Sequence, residues 1–140
     1  MFKKIFFISF LTILFISNLT GATFSKKASV TPVLVQHEVG KHWCPVCGMK
    51  IENYYKTSYT AKLEMNNNNR QYCCMRCLIQ DMNEYNIDLK TVKVIDVSSQ
   101  KYIDANSAFY VVKSKVSGTM SKVSKLAYKK ELDAKNFIKK

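Results

Sequence analysis

The chain is short of the residues that most catalytic and nucleotide-binding motifs require: four glycines, two histidines and two prolines in 140 residues. Glycines at 21, 40, 48 and 118 are too dispersed to build a glycine-rich phosphate loop. There is no serine–histidine constellation, and Asp81 and Asp96 offer no paired-carboxylate arrangement, so nothing reads as a catalyst. Arginine is scarce as well, Arg70 and Arg76 being the sole examples. Basic residues outnumber acidic ones by 22 to 10, yet they never run longer than two. A nucleic-acid interface needs a basic stripe with arginine forks or stacking aromatics, so this excess describes a solvated surface and excludes nucleic acid as a partner. It remains compatible with loose attraction to an anionic membrane surface.

The apolar run from Ile5 to Ile16 is also too short for a membrane span, which takes ~20 residues as a helix. It follows the basic Met1-Phe2-Lys3-Lys4 and precedes the small and polar Ser17-Asn18-Leu19-Thr20-Gly21-Ala22. That order is a signal peptide's, with cleavage expected after Ala22 and export to the periplasm; an uncleaved membrane anchor is the alternative. Residues 23–41 are polar and basic, with Pro32 and no sustained period, and read as a flexible lead-in in which Val33–Val35 could form a short strand. Residues 42–140 then make one modest domain.

Periodicity places the elements. Thr57–Met65 alternates as a half-buried strand, Asn66–Asn69 can close a turn, and Arg70–Cys73 returns as a hairpin. From Cys74 to Tyr85 the period changes: Cys74, Cys77, Leu78, Asp81, Met82 and Tyr85 recur at helical steps. Val92–Val97 and Ala108–Val112 are strand-like, Leu126–Tyr128 is a short strand and Glu131–Lys139 a closing helix. The expected fold is α+β, a small single domain with an antiparallel sheet and hairpin–helix units.

Cysteine is absent from Leu78 to Lys140, and the five present all lie between 44 and 77. An odd number confined to one third of an exported chain argues against a disulfide framework and for a local site. Cys44-x-x-Cys47 precedes Gly48-Met49, and Tyr72-Cys73-Cys74-Met75-Arg76-Cys77 follows. A two-residue knuckle turns both sulfurs inward, and a strand–helix junction supplies two more. Geometry favours Cys73 and Cys77 facing the knuckle, with Cys44 adjacent and Cys74 turned away; a register using Cys74 is the alternative. Three chemistries compete: Cu(I) carried on soft sulfur, Zn²⁺ held only to fold the domain, and a dithiol redox centre. Thiolate with thioether selects Cu(I); Met49, Met75, Met82 and Met120 are candidate thioethers, and Met49, beside the knuckle, and Met120, in a loop after Ser117-Gly118-Thr119, stand out. His42 is close enough to complete a mixed set, His37 reads as surface, and Trp43 could cover the site or join the core. Met65 and Met82 read as core filler.

These residues carry a resemblance. Cys44-Pro-Val-Cys47-Gly48-Met49, the hairpin and Tyr72–Met82 resemble the N-terminal half of the NosL family, accessory proteins of nitrous oxide reductase. Tyr102–Val112, Gly118-Thr-Met120, Tyr128 and the closing helix resemble its C-terminal half. The resemblance implies a compact α+β periplasmic Cu(I) chaperone whose partners are a copper-receiving client such as nitrous oxide reductase and other copper-assembly proteins. Cys47 and Met49 match the family's Cys-Gly-Met, and Met120 its Gly-Pro-Met methionine. Two departures are visible: Thr119 stands where proline is usual, and no cysteine lies near the cleavage region although NosL proteins are commonly lipoproteins. Cys47-x25-Cys73-x3-Cys77 is similar to the pattern of the TRASH and YHS metal domains.

Overall fold

A computed structural model of the protein describes residues 23–36 and 40–139. The signal-peptide reading of residues 1–22 and the surface reading of His37 lie outside them. A kinked pair of 3₁₀ turns, Ile51–Thr57, opens the domain, with the break at Tyr54. It leads into β1 (Tyr59–Leu63), β2 (Asn69–Tyr72) and helix α1 (Met75–Asp81). Strands β3 (Ile87–Ile95), β4 (Tyr102–Asp104), β5 (Phe109–Val112) and β6 (Lys125–Tyr128) follow, and α2 (Glu131–Ile138) closes the chain. The result is the expected α+β domain, built on antiparallel pairing: a four-stranded sheet in the order β2-β1-β3-β4 and a two-stranded ribbon of β5 and β6.

The asparagine run closes the first hairpin as its chemistry suggests. Asn67 takes a φ of 56°, its N–H returns to the Leu63 carbonyl, and Asn66 Oδ1 accepts from the Asn68 N–H. Strand β1 differs from expectation in being buried on both faces rather than half-buried. It lies between β2 and β3, and Tyr59, Ala61 and Leu63 on one face are matched by the buried Thr60 on the other. The start of the predicted strand at Thr57 instead finishes the 3₁₀ turns, whose backbone is held by local bonds such as Ser58 N–H to Tyr55 O. Helix α1 is shorter than the pattern to Tyr85 implies. Asn83, Glu84 and Tyr85 bond back to Gln80 and Asp81 as separate turns, with Tyr85 still packed against the core. Met82 and Met65 are not core filler; they are 37% and 76% exposed.

β3 begins five residues before the expected Val92, and β4 was not anticipated, since Tyr102–Asp104 carries too little pattern in three residues. Val33–Val35 forms no strand. Its amides are taken by side chains instead, Val33 N–H by the Tyr55 hydroxyl and Val35 N–H by Gln71 Oε1. Thr23–Gln36 therefore lies against the domain: Ala28 bonds Glu52, Lys26 bonds Lys56, and buried Gln36 accepts from the Gln71 N–H. No pattern in the sequence signals this, because the bonds, backbone to backbone at Lys26 and Ala28 and through side chains beyond them, form no strand ladder.

Two apolar clusters result. The larger, under the four-stranded sheet, contains Ile51, Tyr55, Tyr59, Tyr72, Val94 and Ile95 together with four of the cysteines. The smaller packs Val111, Leu126, Tyr128 and Ala134 against Phe24 and Phe137. Asp96 joins the sheet to the ribbon. Its segment bridges Ala127, and its Oδ1 accepts from the Lys129 N–H at 3.0 Å while Oδ2 takes the Ser99 hydroxyl at 2.6 Å.

Candidate metal centre

The knuckle is a tight reversal. Trp43 and Lys50 bridge antiparallel, the Cys44 N–H bonds Met49 O at 2.8 Å, and the Gly48 N–H returns to Cys44 O at 2.9 Å. Gly48 has a φ of 69°, a conformation that glycine adopts without the Cβ clash other residues incur. The reversal leaves the Cys44 side chain buried and that of Cys47 half-buried. Opposite, β2 carries Tyr72 into Cys73, and Cys74 caps α1.

This brings the sulfurs of Cys44, Cys47, Cys73 and Cys77 together, all within 4.8 Å of one another. Cys47 and Cys73 are 3.4 Å apart, Cys73 and Cys77 3.7 Å. The expected meeting of Cys47, Cys73 and Cys77 with Cys44 adjacent is thus what the geometry shows. The expectation for Cys74 is corrected. It is buried, and its sulfur lies 3.8 Å from those of both Cys73 and Cys77. The reason is the cap position. An N-cap side chain points at the third helical residue, and here that residue is Cys77. No disulfide joins any of the five.

So many thiols in one place share protons. Cys44 is pushed far below the ordinary thiol range, first by the Cys73 S–H and then by that of Cys77. Cys74 is pushed down in the same way, to about 3. Cys73 is pushed up, chiefly because its proton is held by Cys44, and Cys77 likewise. A soft cation binding such a cluster would be held by thiolates, displacing the thiol protons.

Behind the sulfurs runs a polar brace. Asp81, buried on α1, accepts two bonds from Arg70 Nη1 at 2.9 and 2.7 Å and one from the Tyr72 hydroxyl at 2.8 Å. The Tyr72 hydroxyl is pushed up, first by burial and then by donation to that carboxylate. Arg70 also covers the Tyr85 ring, 4.3 Å from its centroid. The brace clamps α1 to β2 on either side of Cys73 and Cys74. Sequence reasoning placed Asp81 on the helix face but did not pair it with Arg70, although the hairpin requires the two to be near.

The Met120 loop reaches the same end of the sheet. Arg76 Nη1 donates to the Met120 carbonyl at 2.8 Å, and buried Thr119 shares a hydroxyl contact of 2.9 Å with Thr57, whose hydroxyl also donates to Cys73 O. Thr119, where a proline is usual, thus fastens the loop to the cysteine strand through its side chain. Gly118 cannot be replaced cheaply, since a Cβ there would sit 2.2 Å from Val123 O. Met120 has a φ of 56° and is 36% exposed, and Met49 is half-buried against the core. His42 stands outside the four-sulfur group, exposed, with Nδ1 2.6 Å from Glu52 Oε1. Trp43, half-exposed, is not a core aromatic.

A family model described as NosL matches residues 36–140. The chain belongs to the NosL family. The crystal structure of the copper chaperone NosL from Shewanella denitrificans is similar in fold, with a TM-score of 0.57 and 22% identity, over 83% of this chain and 88% of that one. No match is found among curated proteins. Set against the family, the Cys-Gly-Met of Cys47 to Met49 lies on the knuckle, and the loop bearing Met120 is tied to α1 beside Cys77.

Proposed function

We propose that this NosL-family protein is a Cu(I) metallochaperone of the cell envelope, exported by its N-terminal signal and acting as a carrier rather than a catalyst. The observation that carries the reading is the set of four cysteine sulfurs within 4.8 Å, three of them buried. Cys44, Cys47, Cys73 and Cys77 are the proposed thiolate ligands, Met49 and Met120 the proposed thioethers, and His42 a further candidate. Copper suits sulfur because both are soft. The protein of similar fold from Shewanella denitrificans is a copper chaperone, which favours the same cargo. A copper-receiving client such as nitrous oxide reductase, together with other copper-assembly proteins, completes the proposal. Cys47, the one half-exposed thiol of the five, is where a client ligand would reach the ion first.

Protein purified without oxidation from copper-replete cells tests this directly. It is expected to carry Cu(I) and to exchange it with a chelator of comparable affinity. A four-thiolate group of this kind also suits structural zinc. Zinc at one equivalent that Cu(I) does not displace would therefore establish a Zn-stabilised binding module instead. Turnover in a disulfide-reduction assay would establish a thiol redox protein.

A further inference from the structure

The structure holds one more sulfur than the four-membered group uses. Cys74 lies 3.8 Å from Cys73 and 3.8 Å from Cys77, which are themselves 3.7 Å apart. The three make a nearly equilateral triangle. For a side of 3.8 Å the centre is about 2.2 Å from each corner, close to the ~2.3 Å of a metal–thiolate bond. That spacing is ordinary sulfur–sulfur contact, and it also fits a metal at the centre. Cys74, alone of the three, also lines a small crevice with Thr57, Arg76, Gly118 and Thr119.

We propose that the protein binds two Cu(I) ions as one cluster, with the sulfurs of Cys73 and Cys77 bridging them. One ion is held with Cys44 and Cys47, and the second completes its coordination through Cys74. This inference rests on the copper reading above and deepens it. Charge favours it. One Cu(I) on four thiolates leaves a net charge of −3, and two Cu(I) on five thiolates leave −3 again, so the second ion adds no buried charge. Each step is addition of a cation to thiolates with release of any remaining thiol protons to solvent, and no electron is transferred.

Anaerobic titration of the full mature chain with Cu(I) against a colorimetric Cu(I) chelator reads the stoichiometry. Two ions per chain are expected, with a short copper–copper path in X-ray absorption of the loaded protein. Cys74→Ser keeps a good N-cap residue at the head of α1, so it is expected to fold. It should bind one ion and lose the copper–copper path. Cys44→Ser should also bind one ion, now on the triangle. A wild-type stoichiometry of one, or two ions retained by Cys74→Ser, overturns the two-ion cluster while leaving the chaperone reading intact. No Cu(I) retained against the chelator by the wild type overturns both. If Cys74→Ser does not show the wild-type far-UV circular dichroism, Cys74→Ala with the same readouts replaces it.

Discussion

Gly48 makes the knuckle through backbone alone: a Cβ there meets nothing within 4 Å, but φ is 69°. Gly48→Ala should therefore cost about 1–2 kcal/mol through the left-handed conformation alone. Thermal unfolding of the metal-free protein would show the loss, and Gly48→Asn, which tolerates that region, should recover part of it. An alanine variant as stable as the wild type would mean the knuckle can adopt another turn. Met120 poses the opposite question, since its backbone is strained and its side chain half-solvated. Met120→Leu retains volume at a cost under ~1.5 kcal/mol. A thioether ligand predicts markedly weaker Cu(I) affinity with folding nearly unchanged. Equal affinity in chelator competition would assign Met120 to the loop's packing.

Among the elements, α1 is the one whose position decides the site, because it carries Cys77 and is capped by Cys74. Seven residues have little helical stability in isolation, so tertiary contacts must hold it. The Arg70–Asp81–Tyr72 brace supplies the polar part of that hold. Asp81→Ala should destabilise the domain by ~3 kcal/mol, since one partner of a buried ion pair is removed. Chemical denaturation measures this, and Cu(I) affinity should fall with it as α1 loosens from β2. A loss below ~1 kcal/mol would show that apolar packing of Leu78 suffices. The i,i+4 pair of Glu131 and Lys135 on α2 is largely exposed and is expected to contribute only a few tenths of a kcal/mol.

At the scale of the whole molecule, the sheet and the ribbon meet at Asp96, and this junction sets a pH dependence. Burial alone would raise the Asp96 carboxyl, but the Ser99 hydroxyl and the Lys129, Ser99 and Ser98 amides outweigh it and hold it below 3.8. A carboxyl depressed on folding stabilises the folded form above its unfolded value, near pH 4, and that contribution is lost as pH falls through the lower folded value. Asp96→Asn should thus lower stability at pH 7 by about 2 kcal/mol and flatten the acid limb of a stability–pH curve. Identical acid limbs for the two proteins would remove Asp96 from the linkage. The cysteine cluster is carried by the sheet and α1 while the Met120 loop leads into β6 of the ribbon, so loosening the junction should also weaken any thioether contribution from Met120.

The sequence by itself determined the α+β class, the first hairpin, the closing helix and the meeting of Cys47, Cys73 and Cys77. Each rests on short-range rules: period-two and helical patterning, asparagine turn chemistry, and the reach of a knuckle toward a strand–helix junction. Only the tertiary structure decided the rest. Cys74 turns inward because it became the helix cap, a boundary that periodicity leaves uncertain by a residue or two. The burial of β1 on both faces, the anchoring of Thr23–Gln36 through Tyr55 and Gln71, and the Thr57–Thr119 tie all join residues far apart in sequence. Such contacts leave no periodic trace, because each depends on single side chains meeting across a long separation in sequence.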